Sequence, residues 1–116
     1  MLQANNLSIL IGTLTGDPEV LPTRRGDRLK LSMRIAVKHP HLPGKTSFFT
    51  VVKWDDSAAI MRQVAPLQKG TRVYILGWWQ SRDLANGSVA TEMVADTIVP
   101  LENLRTGEAN NDYHSE

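Results

Sequence analysis

The chain has no cysteine, so disulfides and thiolate metal sites are excluded, a composition suited to a reducing compartment. No apolar run approaches the ~20 residues needed to cross a bilayer. The opening MLQANNLSILIG lacks the basic n-region and the apolar length of a signal peptide. The expectation is a soluble, cytoplasmic protein. There is also no large excess of one charge, the net value being +1. That total hides an uneven distribution, because residues 1–101 hold 12 Lys/Arg against 8 Asp/Glu. Residues 102–116 set Arg105 against Glu102, Glu108, Asp112 and Glu116. A mildly basic body is followed by an acidic, polar end. Internal repeats and low-complexity tracts are absent. At 116 residues the chain suits one domain, placed at 1–101, with 102–116 as a disordered tail.

Strand signals dominate what is present. In residues 29–38, Leu29, Leu31, Met33, Ile35 and Val37 alternate with Lys30, Ser32, Arg34, Ala36 and Lys38. Strict period-2 alternation gives a half-buried strand, with one face on a core and the other toward solvent or ligand. Residues 6–14 read as an earlier strand with Leu7, Ile9 and Ile11 on one face, and Gly12 suggests a bulge or bend. The stretch 16–27, with Pro18, Pro22 and Gly26, is a connection through which no continuous ladder is expected. A second connection covers 39–46, and the β-branched and aromatic run 47–54 is a third strand. Asp55 or Asp56 can cap a helix carrying Ala59, Ile60, Val64 and Leu67 at helical spacing, limited by Pro66. Residues 71–80 form a fourth strand, Asn86-Gly87 a tight hairpin turn, and 88–99 a fifth strand closed by Pro100. Three strands, a short helix and a two-stranded hairpin make the order of an all-β, five-stranded OB barrel, a Greek-key fold with its helix between strands three and four. A helix-capped β-sandwich is the competing architecture.

Five segments, in order, resemble the bacterial single-stranded DNA-binding protein family. They are the opening strand Asn5–Leu14, the turn Gly16-Asp17-Pro18-Glu19-Val20 and the aromatic strand Phe48–Trp54. Lys69-Gly70-Thr71-Arg72-Val73-Tyr74-Ile75-Leu76-Gly77 and Thr91-Glu92-Met93-Val94 complete the set, so the resemblance covers residues 5–99. It implies single-stranded DNA as partner, with RNA as the alternative, and a role in replication, recombination or repair on nucleoid DNA. It also implies a homo-oligomer, tetramer or dimer, paired through the first strand.

Binding single strands without strong sequence preference needs aromatic platforms for bases and Lys/Arg for phosphates. Phe48, Thr50, Val52 and Trp54 share one face of the third strand, leaving Phe49 and Val51 for the core. Phe48 and Trp54 fall where the family carries base-stacking aromatics. Lys30, Arg34 and Lys38 form a basic row on the neighbouring strand, and Arg72 and Arg82 are further candidates. Counting from Val73 and Ile75 as inward turns Gly77 and Trp79 inward and Trp78 outward. Trp78 is open to two uses, a base stack or a subunit contact.

The sequence also departs from the family. Its hairpin is shorter and carries Asp83 and Leu84 where the family has a basic residue and an aromatic. His39 or His41 stands where a loop aromatic is often found. Fewer stacking platforms imply weaker binding or a smaller site per subunit. The family's acidic Pro-Phe tip, which recruits replication proteins, is not found in Asn110–Glu116.

Catalysis is not expected. His39, His41 and His114 form no metal pattern, and Asp55-Asp56 is explained by capping. Gly12, Gly16 and Gly26 lack the spacing and following helix of a phosphate loop. No metal or cofactor is called for. The alternatives to a general single-strand coat are a primosomal replication accessory protein, or an OB module for protein contacts without DNA binding.

Overall fold

The computed structural model describes residues 5–103. Seven elements follow in order: β1 (Leu7–Leu14), β2 (Glu19–Pro22), β3 (Arg28–Lys38), β4 (Thr46–Asp56), α1 (Ser57–Val64), β5 (Thr71–Asp83) and β6 (Val89–Asn103). The sheet runs β1-β5-β6-β4-β3-β2, and a further β1–β3 pairing closes the first five into a ring. This is the expected OB barrel with a sixth strand added on its edge.

The alternation in β3 sets the inside and outside of the ring. Leu31, Met33 and Ile35 are buried in one cluster with Val51, Val73, Ile75 and Met93. Lys30, Ser32 and Arg34 take the opposite face, as period-2 geometry requires. The helix plugs the barrel with Ile60, which is fully buried. Asp56 is its N-cap, its Oδ1 accepting from the Ala59 amide at 2.8 Å.

Two of the motifs far apart in sequence are fastened together here. Asp17 Oδ1 accepts from the Lys69 amide at 2.8 Å, and the Gly70 amide donates to the Leu14 carbonyl at 2.9 Å. Asn6 extends the β1–β5 ladder with its side chain, accepting from the Trp79 amide at 2.7 Å and donating to its carbonyl at 3.3 Å.

Three expectations change. The connection 16–27 contains a strand after all, because β2 pairs with Leu29–Ser32 of β3. Four residues suffice, and Pro22, with no amide to donate, ends the strand on an edge. Pro100 does not close the last strand. It pairs opposite Val73 beside a register shift at Arg72/Val73, an irregularity that accommodates proline, and β6 continues to Asn103. Gly12 carries no bulge, since Leu7–Thr13 run in unbroken register with Trp78–Arg72. Its missing side chain serves a close approach instead. A Cβ there would run into the Ala36 carbonyl and stand 2.7 Å from Ile35 Cγ2. The irregularity lies at Gly77, where β5 and β6 shift register and a Cβ would run into the Val94 carbonyl. The tail expected to be disordered lies, from residue 104, outside the described residues.

Candidate nucleic-acid interface

β3 and β4 pair antiparallel along their whole length, placing Lys30 opposite Trp54, Ser32 opposite Val52, Arg34 opposite Thr50 and Ala36 opposite Phe48. The basic row and the aromatic strand therefore lie side by side on the outside of the barrel. Phe48 is 50% and Trp54 37% exposed, unusual for large aromatics in a domain with a packed core.

The cations rest against the rings. Lys30 Nζ lies 5.3 Å from the Trp54 ring centroid and Arg34 Cζ 5.2 Å from that of Phe48. Both are cation–π distances. Among the described residues neither cation, nor Lys38, has a carboxylate partner. Positive charge that is not neutralised within the protein is available to a phosphate backbone. Arg28, which the sequence did not single out, steadies this end of the strand by donating to the Trp54 carbonyl at 3.3 Å.

The remaining candidates distribute around this face. Thr50 lies on it between Phe48 and Val52. Val52 shares its parity but is buried, because it packs beside Val94 of β6 in the parallel β4–β6 pairing. Trp78 is half-buried on the outer side of β5, between Leu7 of β1 and Val94 of β6. It is thus set apart from the Phe48–Trp54 strand. Trp79 points inward, packing on the core and meeting Phe49 edge to face at 5.4 Å. Arg72 is exposed on the far side of β1, opposite Thr13.

Arg82, in the hairpin, sits 3.6 Å from Glu92, whose carboxylate also accepts from Gln80 Nε2 at 2.9 Å. Glu92 is 2% exposed, a buried carboxylate on the outer face of the sheet. Sequence reasoning used Glu92 only as part of a motif. Its burial comes from packing across β5 and β6, which no local pattern records. The hairpin itself closes as expected, with Gly87 at φ 89° and the Leu84 amide donating to the Ser88 carbonyl at 2.8 Å.

No residues among those described are grouped as metal ligands, and no helix is long and apolar enough to cross a membrane. What the face offers chemically is non-covalent: two ring surfaces, unneutralised cations and a hydroxyl.

The barrel is similar to a solved structure of a Plasmodium falciparum SSB in complex with ssDNA. The two are 20% identical, with a TM-score of 0.69, and the match covers 88% of this chain and 99% of the other. That likeness shows the fold. A comparison with curated proteins finds no match. The model of the single-strand binding protein family matches residues 5–101, nearly the whole described chain. With the ring of five strands, the helix plug and the aromatic-and-basic outer face, this places the chain as a member of the single-strand binding protein family.

Proposed function

We propose that the chain binds single-stranded DNA without strong sequence preference, stacking bases on Trp54 and Phe48 while Lys30, Arg34 and Lys38 follow the phosphates. One observation carries the reading. Two exposed aromatics and three cations without acidic partners share one face, in a member of a single-strand-binding family. Each stacked base contributes about 1–3 kcal/mol regardless of its identity, because every base has a π face. Thr50 and Arg82 border this face. Replication, recombination or repair on nucleoid DNA in the cytoplasm is the setting this binding fits.

A second copy of the chain completes the assembly in this reading. Leu7, Ile9 and Ile11 are 57%, 56% and 45% exposed on the outer side of β1. Leu76 and Trp78 lie beside them in the β1–β5 register. β1 pairs with β3 only at Thr13 and Leu14, so one backbone edge of Leu7–Gly12 has no partner among the described residues. An apolar strand with a free edge invites pairing with its own copy. This use of the surface accounts for Trp78 as a subunit contact.

The deciding experiment is a titration of intrinsic tryptophan fluorescence with poly-dT at low and high salt. Quenching at low salt, lost steeply as salt rises, is the expected result. An unchanged signal at low salt refutes stacking on Trp54.

A further inference from the structure

β1 and β3 meet only at Thr13↔Ala36 and Leu14↔Ile35, then diverge. The gap between them is a cleft of about 710 Å³ on the outside of the barrel, lined by Ile11, Thr13, Ala36, Lys38, Thr46 and Arg72. Gly12 forms its apex, where the absence of a Cβ lets β3 approach. The volume falls within the range of about 300–1,000 Å³ typical of small-molecule sites.

The cleft is continuous with the aromatic face. Arg72, Thr13, Ala36 and Phe48 are successive cross-strand partners, one row across β5, β1, β3 and β4. Lys38 and Thr46 form the next pair beside it. From Trp54 to Phe48 is six residues of β4, about 20 Å, and from Phe48 over β3 to Thr13 is two strand spacings, about 10 Å. Two cations, Lys38 and Arg72, flank the opening. Two threonines supply hydroxyls, and Ile11 with Val37 supplies apolar wall. A phosphate, a sugar and a base face are the groups that match this combination.

We infer that the cleft is a nucleotide subsite. It takes the stretch of the single strand that lies beyond the base stacked on Phe48, with Lys38 and Arg72 on its phosphates. The inference rests on the proposed binding face. It deepens it by turning the strand's path off β4, across β3 and into the β1–β3 junction. A base here is held by apolar contact and hydroxyls rather than by an aromatic platform, in keeping with the short supply of aromatics in the hairpin.

The absence of cysteine makes the test direct, because Thr13→Cys places a single thiol in the cleft. Its alkylation rate by N-ethylmaleimide is followed in the full chain with oligo-dT of about 4 to 16 nucleotides, the usual span of site sizes for one OB barrel. Tryptophan quenching is recorded in the same samples. Thr46→Cys, at the opposite wall, is run in parallel so that a folding defect at Thr13 does not decide the matter. With free oligonucleotide at about ten times its Kd, occupancy of the cleft slows alkylation about tenfold. That protection is expected from the longer oligonucleotides, while the shortest quench tryptophan and leave the thiol reactive. Quenching by every length with both thiols unprotected overturns the subsite and leaves the binding face standing. No quenching at low salt removes the face itself and the subsite with it. Protection without DNA that grows with protein concentration shows a second copy in the cleft and also overturns the inference.

Discussion

Replacing Trp54 with alanine tests the binding face where its energy is concentrated. The ring is about one-third exposed and carries the Lys30 ammonium 5.3 Å from its centroid. A base stacking on it competes with that cation. An exposed cation–π contact stabilises by about 0.5–1 kcal/mol, whereas a base–aromatic stack contributes about 1–3 kcal/mol. The stack therefore wins, and a displaced Lys30 finds a phosphate nearby. Trp54→Ala should weaken binding of oligo-dT by roughly 5- to 150-fold, the factor corresponding to that stacking energy. Trp54→Phe, which keeps a π face, should recover much of the loss. Fluorescence anisotropy of a labelled oligonucleotide measures both, with thermal unfolding to establish that each variant is folded. The salt slope gives an internal check, since it counts neutralised phosphates and not rings. It should be unchanged in Trp54→Ala. An alanine variant that is folded and binds within about twofold of the parent, far below one stacked base, would refute base stacking on Trp54. A fallen slope would mean that the ring acts by holding Lys30 in place.

Lys30→Met removes the charge and uncovers the ring, so the log–log salt slope should become shallower by about 0.7 while affinity at high salt changes little. An unchanged slope, read from binding isotherms across salt, places Lys30 off the phosphate path. Arg82→Ala leaves the buried Glu92 carboxylate with Gln80 alone, and should destabilise the fold by about 1–3 kcal/mol. For a domain of this size that is a melting temperature lower by about 4–8 °C per kcal/mol. Adding Glu92→Gln should restore the melting temperature without restoring any affinity lost with Arg82, which calorimetry and titration separate. Ile9→Asp sets a charge in the exposed apolar row of β1 and should dissociate the assembly with the barrel intact. Sedimentation showing the same oligomer for parent and variant would remove β1 from the subunit interface.

The period-2 alternation of Leu29–Val37 with Lys30–Lys38 was enough to orient β3, and the parity of Phe48–Trp54 enough to orient β4. Both depend only on successive side chains taking opposite faces of a strand. The cap at Asp56, the helix around Ile60 and the Asn86-Gly87 turn were equally legible, because each is specified within a few residues. Boundaries marked by proline were less so. β2 forms despite Pro22, and β6 continues past Pro100, because an edge or a register shift leaves the missing amide without a required partner.

Relations between strands were decided by the tertiary structure. Sequence put lysine and arginine on one strand and aromatics on another. Only the β3–β4 register brings Lys30 over Trp54 and Arg34 against Phe48. The burial of Glu92 and Val52 on an outward parity comes from β6 packing beside β4 and β5. The apolar edge of β1 and the cleft beside it exist because β1 parts from β3 after two paired residues. Local alternation determines which face a side chain takes. Which strands lie beside that face, and where a pair of them separates, is set by closure of the barrel through contacts distant in sequence.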